Sequence, residues 1–545
     1  MWFMNKTRYF LRRNLKAFLV FNFIAVITVS QFSGSKQTEN ITINNELLYL
    51  QHTHTFIHSA YYYPDSKSLG KNAIAIVTTT NKRTVNEILN MKINIVASND
   101  TGIMKTEATV TTEHRLEDRC DYLMLLAQAN TLDNMNVLEI EADGVSLSIP
   151  YKIPKKVAPK PVVFCVAPQF AAEQWQTFLA QVHISKFYGA HLQMYVVSMV
   201  ESYFQLLQEY EKLGYLSIEP WLTIKFSKVD EPVMEPNRNV ELRAQTAAHT
   251  DCLLMYKEAA EFIGSLDMDD LLIPVNSSSY YEMFERDYNG NWRVSALHYT
   301  KYDYETIKSP HLDETSIMAM VKQARYLNTI DSGKSFVRSE RYNSTWAHWS
   351  RVADSVPQFF GEIKPKPFYM YRKQMRNTGM FHFKRQINKS RKELAKLGEG
   401  TIPLNPRNNE SLIISEEDLQ AIEDDLQRHL ALPQIQKLAP HLPKDDFYMP
   451  IILKCYTDAF YHIRDLGKFS QDEICVNAYS CDIPQQHDYS CVHSDAMYHS
   501  GPRMDPITYH YTTDSFFTKS WTLIARNTLF GIRPVFNGSS QLTIA

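Results

Sequence analysis

The chain has 545 residues, of which 44% are hydrophobic, and this composition excludes a wholly disordered protein. Its length allows about two to four domains with sizeable cores. The formal net charge of −3 gives no overall basic bias, which argues against nucleic acid as a partner.

The N-terminus predicts a membrane anchor. Residues 1–16 carry five basic and no acidic side chains, and the apolar segment AFLVFNFIAVITVSQF follows. As a helix this segment would span about 24 Å, and the basic residues before it keep that end in the cytosol. We therefore expect a single-pass protein whose bulk lies in the lumen of the secretory pathway. A cleaved signal peptide is the alternative, with Thr28-Val29-Ser30 as the cleavage site.

The sequons agree with a lumenal location. Beyond residue 34, seven asparagines begin an N-x-S/T sequon: Asn40, Asn99, Asn276, Asn343, Asn388, Asn409 and Asn537. A chain of this composition yields several sequons by chance, so they support the location without proving it.

The cysteines also suit an oxidising compartment. Four of the seven fall late in the chain, and we expect local disulfides among them: Cys455, Cys475, Cys481 and Cys491. A zinc site with His487 and His493 is the alternative, but the spacings fit no zinc motif. The odd total leaves at least one thiol unpaired. Cys165 and Cys252 lie in apolar segments, where burial alone would explain them.

Residues 46–157 predict a small all-β domain. Short alternating, β-branched runs such as TEATVTT and VLEIEADGVSLSIPYKIP are separated by turn signals at Asn99-Asp100 and Asp143-Gly144. The segment IPKKVAPKP, residues 153–161, reads as a linker because it is rich in proline and lysine.

From residue 162 the pattern alternates between strands and helices. VVFCVAP, HLQMYVVSM, YLSIEPWL and EFIGSL predict strands, and the segments between them predict helices that end near Gly189 and just before Gly214. This alternation indicates a largely parallel sheet with helices on both faces. Ligands of such sheets bind beyond the carboxyl ends of the strands.

Three carboxylates fall at one of those ends. In EFIGSLDMDDLLIP, Asp267, Asp269 and Asp270 follow a buried strand, where their mutual repulsion and desolvation cost free energy. A divalent cation with oxygen ligands, and a substrate's phosphates on its other side, would neutralise them.

Three interpretations compete for this cluster. A solvated turn is the plainest. A phosphatase-type D-x-D loop would use Asp267 as nucleophile and Asp269 as general acid, but it needs Thr or Val where Leu271 stands and a Gly-Asp pair that the chain lacks. The third is the D-x-D motif of a nucleotide-sugar glycosyltransferase, which a lumenal anchor favours.

Eight segments in one order resemble glycosyltransferase family 92. They are FIHSAYYYPDSKSLGKNAIAI, VVFCVAP, FLAQVHISKFYGAHLQMYVVS, GYLSIEPW, ELRAQTAAHTDCL, EFIGSLDMDDLLIP, KSFVRSERYNSTWAHWS and GMFHFKRQ, and they cover about residues 50–390. Two positions depart from the family pattern. Asp270 stands where the D-x-D-E motif has Glu, and His382-Phe383-Lys384 stands where the family has H-Y-R. The tail from residue 400 matches nothing in the pattern.

The resemblance implies a GT-A fold and an inverting transfer of a hexose, galactose in particular, from a UDP-sugar to a glycan acceptor. The acceptor would be an N-glycan, fucosylated or not, and the compartment the Golgi, with the protein as a single-pass type II membrane protein. Mn²⁺ or Mg²⁺ would be the cofactor.

Residue roles follow from the chemistry. Asp269 is expected to ligate the metal, and Asp267 to contact the ribose or a metal-bound water. His382 would complete the metal site, with a structural role as the alternative. Arg243 and Gln245 would face the uracil and diphosphate, and the alternative for Arg243 is a salt bridge.

Inversion also requires a general base. Asp331, Glu340 and Asp354 lie at suitable positions downstream, and Glu340 is the catalytic residue that we predict. Because Arg338 and Arg341 flank it and would lower its pKa, a plain ion pair is the alternative.

The tail predicts a supporting role. SEEDLQAIEDDLQRHLAL has the features of a capped amphipathic helix, with Ser415 at its N-cap. Its apolar stripe consists of Leu419, Ile422, Leu426 and Leu430.

The predicted fold class is α/β, with a GT-A-like Rossmann-type nucleotide-sugar transferase domain preceded by a small all-β domain. The predicted divisions are a cytoplasmic tail 1–16, a transmembrane signal-anchor 17–33, a stem 34–45, a β domain 46–157, a catalytic domain 160–395 and a helical, cysteine-containing extension 396–545. Two other functions stay open: a catalytically inactive lumenal binding or adhesion protein, and the phosphatase-type hydrolase.

Overall fold

The structure is a computed structural model. It describes residues 52–82, 93–113, 120–142, 144–226, 235–349, 371–376, 379–461, 475–484, 486, 488–504 and 507–520. The chain divides into two compact units, residues 1–53 and 54–545. Within the described residues no helix has the length and apolar character needed to cross a membrane. The predicted anchor and stem, residues 17–45, lie outside the described part.

Twenty strands form three sheets in the residues that the structure describes. The strands are β1 Thr53–Tyr63, β2 Ala73–Asn81, β3 Asn94–Asn99, β4 Gly102–Glu107, β5 Thr109–Thr112, β6 Tyr122–Asn130, β7 Val137–Ala142, β8 Val145–Ser148, β9 Val162–Gln169, β10 Ala190–Val196, β11 Ser198–Val200, β12 Leu216–Pro220, β13 Phe262–Leu266, β14 Asp270–Ile273, β15 Val294–Lys308, β16 Arg325–Arg338, β17 Tyr371–Met375, β18 Gly379–Asn388, β19 Cys491–Ser500 and β20 Ile507–Ser520.

Nine α-helices accompany them in the described part of the chain. They are α1 Trp175–Phe187, α2 Glu201–Lys212, α3 Gln245–Tyr256, α4 Tyr280–Tyr288, α5 Ile317–Lys322, α6 Arg391–Leu397, α7 Glu416–Leu430, α8 Pro433–Gln436 and α9 Tyr448–Tyr456.

The central sheet confirms the predicted α/β fold class. Its order is β12-β10-β9-β13-β16-β15-β18-β14, with β17 beside β15. The strands β9, β10, β12 and β13 are parallel, as the alternating pattern predicted, whereas β16 runs antiparallel to β13. Alternate β9 residues pack into two cores. Val162 and Phe164 join the core with α1, α2 and α7, and Val163 and Cys165 join the core with α3. Helices therefore cover both faces.

The predicted β region contributes to two sheets. Strands β3, β4, β7 and β8 form a small four-stranded sheet, while β1, β2, β5 and β6 belong to a seven-stranded sheet of order β11-β19-β20-β1-β2-β6-β5. Strands β19 and β20 come from the C-terminal extension, so the two ends of the described chain share one sheet. This hairpin was not predicted, because the extension was expected to be helical.

One helix of the extension agrees with its prediction in detail. Helix α7 begins after Ser415, whose Oγ accepts a hydrogen bond from the Asp418 N–H at 3.0 Å. The buried residues of α7 are the four predicted ones, Leu419, Ile422, Leu426 and Leu430.

The disulfides differ from the predicted local pattern. The pairs are Cys120–Cys475, Cys165–Cys252 and Cys455–Cys481, and Cys491 is free and buried. Local pairing is therefore right only for Cys455–Cys481. Burial alone does not explain Cys165 and Cys252, because their disulfide joins β9 to α3. None of the clusters of metal-ligating side chains among the described residues contains a cysteine.

Candidate active site

The acid cluster lies on a tight turn at the centre of the sheet. Strand β13 ends at Leu266, level with Val166 of β9, and β14 begins at Asp270. Two hydrogen bonds close the turn. The Asp270 N–H donates to the Asp267 carbonyl at 3.2 Å, and the Asp267 N–H donates to the Asp270 carboxylate at 3.0 Å. The turn therefore sits at the carboxyl end of the parallel strands, where ligands of such sheets bind.

Asp267 is held from two sides. Its Oδ1 accepts a hydrogen bond from Gln245 Nε2 at 3.0 Å, and its Oδ2 lies 2.8 Å from Lys334 Nζ. Burial opposes ionisation of this carboxyl, but the charges of Lys334 and Lys301 more than offset burial and hold its pKa well below the usual range. Asp267 is thus ionised, and the hydrogen bond from Gln245 orients its carboxylate.

Asp270 is the buried member of the cluster. Its side chain is fully buried, with Lys301 Nζ 3.0 Å from Oδ1 and Lys334 Nζ 3.8 Å from Oδ2. Burial raises the pKa of this carboxyl, and the two lysines partly oppose that shift. The two buried lysines therefore neutralise part of the charge of the carboxylates, which would otherwise repel one another.

Asp269 faces a histidine. Its Oδ2 lies 3.3 Å from His382 Nε2, and the backbone positions His382, because β14 pairs Asp270 with His382 of β18. The opposite ring nitrogen, Nδ1, is 2.7 Å from Asp303 Oδ1. Burial would lower the pKa of His382, but Asp269 and Asp303 outweigh it and raise the pKa to about 10. In this arrangement the ring is a cation bridging two carboxylates.

Asp303 and Asp331 extend the cluster. Asp303 is buried and accepts hydrogen bonds from Thr329 and Lys384, both at 2.7 Å. Asp331 lies on β16 opposite Lys301 of β15. Its Oδ2 is 3.7 Å from His382 Nδ1. Burial opposes ionisation of Asp331, but the Lys301 charge outweighs burial and lowers its pKa.

Two overlapping groups in this cluster have ligating atoms within 4.8 Å of one another. One is Asp269, Asp270 and His382, and the other is Asp303, Asp331 and His382. Asp270 lies between two lysines and Asp303 accepts from His382, Thr329 and Lys384, so Asp269 and the Nε2 of His382 are the atoms best placed to meet a cation. A cation there would displace the proton from Nε2, because an imidazole nitrogen ligates a metal only when it is deprotonated. A carboxylate holding the far nitrogen of a histidine is the usual support of a histidine metal ligand.

Arg243 lies at the same edge but does not reach the turn. Its guanidinium donates to the Tyr456 hydroxyl at 3.1 Å and lies 5.8 Å from the centre of the Phe170 ring. No salt bridge joins it to a carboxylate of the described residues. Leu242, Arg243 and Ala244 have φ of 44°, 62° and 59°, an unusual run of left-handed residues immediately before α3. This backbone carries Gln245 to Asp267.

Glu340 is not brought to the cluster. Strand β16 runs antiparallel to β13 and pairs Arg338 with Phe262, so each residue after Arg338 lies farther from Asp267. Glu340 sits on a short 3₁₀ turn at that far end, where its charge acts on Lys257. Asp354, another carboxylate considered as the base, lies outside the described residues.

Sequence reasoning missed the two buried lysines. Lys301 and Lys334 lie within the aromatic- and β-branched-containing segments HYTKYDY and GKSFV, and a lysine inside a strand is the signal that was available. Gly333 allows β16 to approach β15 closely, because a Cβ there would lie 2.1 Å from the Tyr299 carbonyl oxygen.

Comparison with known proteins identifies the family. A glycosyltransferase family 92 protein of Caenorhabditis elegans is 57% identical over 518 residues, which cover 94% of this chain and 98% of that protein. The chain belongs to glycosyltransferase family 92. A second family 92 protein of the same organism is 40% identical and covers 95% and 98% of the two chains. The sequence model of glycosyltransferase family 92 matches residues 160–430. The family resemblance is confirmed, and the protein is a glycosyltransferase.

Two solved structures align partially with this family 92 chain. S. aureus TarS 1-349 in complex with UDP has a TM-score of 0.17 and 10% identity, covering 33% of this chain and 46% of that one. The mannosyltransferase PcManGT from Pyrobaculum calidifontis, in complex with GDP-Man and Mn²⁺, has a TM-score of 0.24 and 11% identity, covering 59% and 91%. At these scores neither alignment carries an argument about the site.

Proposed function

We propose that this glycosyltransferase moves a hexose, galactose in particular, from a UDP-sugar to a glycan acceptor with inversion of the transferred carbon. An N-glycan, fucosylated or not, is the acceptor that the family resemblance implies. The observation that carries the proposal is the acidic turn 267–270, which lies at the carboxyl end of β13. This is where a parallel sheet binds a nucleotide.

The donor would lie along this edge of the sheet. Asp267 is ionised, oriented by Gln245 and about a third exposed, with 34% of its side chain accessible, so it can accept a hydrogen bond from a ribose hydroxyl. Arg243 is a cation without a carboxylate partner in the described chain, and it suits the diphosphate.

Asp269 and His382 would hold the divalent cation, Mn²⁺ or Mg²⁺. Their ligating atoms are 3.3 Å apart, and Asp303 fixes the ring so that Nε2 faces Asp269. A mixed carboxylate and imidazole set suits Mn²⁺. When bound, the cation would supply Lewis-acid stabilisation of the departing UDP. Asp267 would contact the ribose or a water on the cation.

We assign the general base to Asp331 in place of Glu340. Asp331 is the one of the two described candidates that lies in the cluster, and 42% of its side chain is exposed. An acceptor hydroxyl can therefore reach it from solvent. Lys301, 3.6 Å away, keeps Asp331 ionised, and the same charge lowers its pKa and therefore its basicity. The assignment therefore rests on the position and exposure of Asp331.

We further propose that the protein is a type II single-pass protein of the Golgi membrane with its catalytic domain in the lumen. The basic residues before the apolar segment 17–33 support this orientation. Three disulfides in the described chain support an oxidising compartment.

The test is a transfer assay with the purified full-length protein, UDP-galactose and an N-glycan acceptor. Wild type should release UDP and form a product with inverted anomeric configuration. Asp331→Asn should lose about 10²- to 10⁴-fold in turnover, the usual contribution of a general base. Asp313→Asn, an exposed carboxylate outside the cluster, is the matched control and should be unaffected.

Several results would contradict the proposal. Full activity of Asp331→Asn would exclude it as the base, and a retained configuration would exclude inversion. Phosphate release from phosphomonoesters without any turnover of UDP-sugars would favour the hydrolase instead.

A further inference from the structure

A cavity lies outside the candidate active site. Its volume is about 380 Å³, within the range of small-molecule sites, about 300–1,000 Å³. Residues 56–60 of β1, residues 219–222 at the end of β12 and residues 511–515 of β20 form three of its walls. It is therefore built jointly by the N-terminal strands, the catalytic sheet and the C-terminal hairpin.

Aromatic rings form a rigid part of its lining. His58 and Trp221 stack with ring centres 4.9 Å apart and planes 6° apart, and Tyr195 meets Trp221 edge-on at 5.2 Å. The Tyr195 hydroxyl and the Tyr61 hydroxyl both donate to the buried Asp251, at 2.5 and 2.9 Å. These contacts fix the shape of the cavity in the absence of any ligand.

The cavity also presents a carboxylate without a partner. Glu219, opposite Tyr195 on the edge strand β12, is partly buried, and no described residue forms a hydrogen bond or salt bridge with its carboxylate. Burial raises the pKa of Glu219, and the charge of Lys152 at the rim partly opposes that shift. Unpartnered buried polar groups of this kind cost free energy unless a ligand satisfies them.

The chemistry of the lining selects one class of ligand. An anion would be repelled by Glu219 and Asp251. A purely apolar molecule would leave the Glu219 carboxylate desolvated and unpaired. A neutral molecule rich in hydroxyl groups suits the lining, since its hydroxyls donate to the carboxylate and its C–H faces pack on the aromatic rings.

We propose that this cavity binds a neutral saccharide unit, as a subsite for a non-reacting branch of the glycan acceptor. The assignment to the acceptor rests on the proposed transferase function. Helix α3 links the two sites, because Gln245 contacts Asp267 and Asp251 faces the cavity, about 9 Å farther along the helix. In addition, Trp221 Nε1 donates to the carbonyl of Arg243 at 3.0 Å, in the turn that positions Gln245.

Binding is tested on the full-length protein by ligand-observed NMR, with lactose and N-acetyllactosamine as the probes. EDTA and excess UDP are present, so that the donor site does not contribute. Wild type should show saturation transfer to at least one probe. Glu219→Gln should weaken that binding about 10- to 100-fold, since it removes a charged acceptor. Asp269→Asn and the surface control Glu399→Gln should bind as wild type does. Absence of binding by wild type, or equal binding by Glu219→Gln, would overturn the site.

Kinetics then test the assignment to the acceptor. Glu219→Gln should raise KM for the glycan acceptor by about tenfold or more without raising KM for the UDP-sugar. An unchanged acceptor KM, despite lost probe binding, would overturn the acceptor assignment. If wild type turned over no UDP-sugar at all, the proposed function would fail, whereas the NMR result would still decide whether the cavity binds a saccharide.

A folding control separates recognition from damage. Because Glu219 has no partner to lose, Glu219→Gln should unfold at the same temperature as wild type or a higher one. A clear decrease would show that the carboxylate stabilises the fold and would overturn its assignment to a ligand.

Discussion

The turn 267–270 and the cavity lined by Glu219 both place carboxylates in partly dry surroundings, but they balance the charge differently. In the turn, Lys301, Lys334 and His382 supply cations from other strands. In the cavity, Glu219 has no such contact. A carboxylate that is already paired is oriented by the fold, whereas an unpaired one is available to a ligand. Within the turn itself, Asp270 is fully buried between two lysines, whereas Asp269 faces His382 and is 36% exposed.

The largest effect should come from Asp269→Asn, which tests whether the partly exposed carboxylate of the turn is available to a ligand. The change keeps the shape of the side chain but removes a charged oxygen ligand from beside His382. We expect turnover to decrease by about 10²- to 10⁴-fold, equivalent to roughly 3–5 kcal/mol. Stability should hardly change, because 36% of this side chain is exposed.

Steady-state kinetics and thermal unfolding of the same preparation measure both effects. Asp313→Asn is again the control. An inactive variant that also unfolds would mean that Asp269 is structural, and an active one would remove it from the mechanism.

The next largest effect should come from Lys334→Met, which tests whether the buried lysines stabilise the paired carboxylates of the turn. Its ammonium group is almost wholly buried and lies 2.8 Å from Asp267 Oδ2 and 3.8 Å from Asp270 Oδ2. Removing it leaves two carboxylates short of a counter-charge, so we expect a loss of about 3–5 kcal/mol in the free energy of unfolding. Urea titration measures this loss.

An exposed lysine pair provides the matched control. Lys454 is 76% exposed and pairs with Asp458, so Lys454→Met should change stability by less than about 1 kcal/mol. Equal effects of Lys334→Met and Lys454→Met would show that the buried pairing does not stabilise the turn.

The parts of the fold that were predicted are those that local patterns specify. Strands β9, β10, β12 and β13 alternate with helices in a spacing that only a parallel sheet satisfies, and α7 carries its cap and stripe within one segment. The position of the acid cluster was predicted in the same way, because the cluster directly follows β13 in the sequence.

The parts that were missed depend on pairing between distant segments. The lysines reach the turn through the register of β15 and β16, and the same antiparallel register carries Glu340 away from it. The sheet that joins β1 to β20 and the disulfide Cys120–Cys475 bring together residues several hundred positions apart. Periodicity within a segment contains no information on such partners.

The most direct test of the central claim is UDP-galactose transfer to an N-glycan acceptor by the full-length protein in EDTA, followed by addition of Mn²⁺. If Asp269 and His382 hold a catalytic cation, transfer should cease in EDTA and return with Mn²⁺. Undiminished transfer in EDTA would contradict the account, because the acidic turn would then act without a metal.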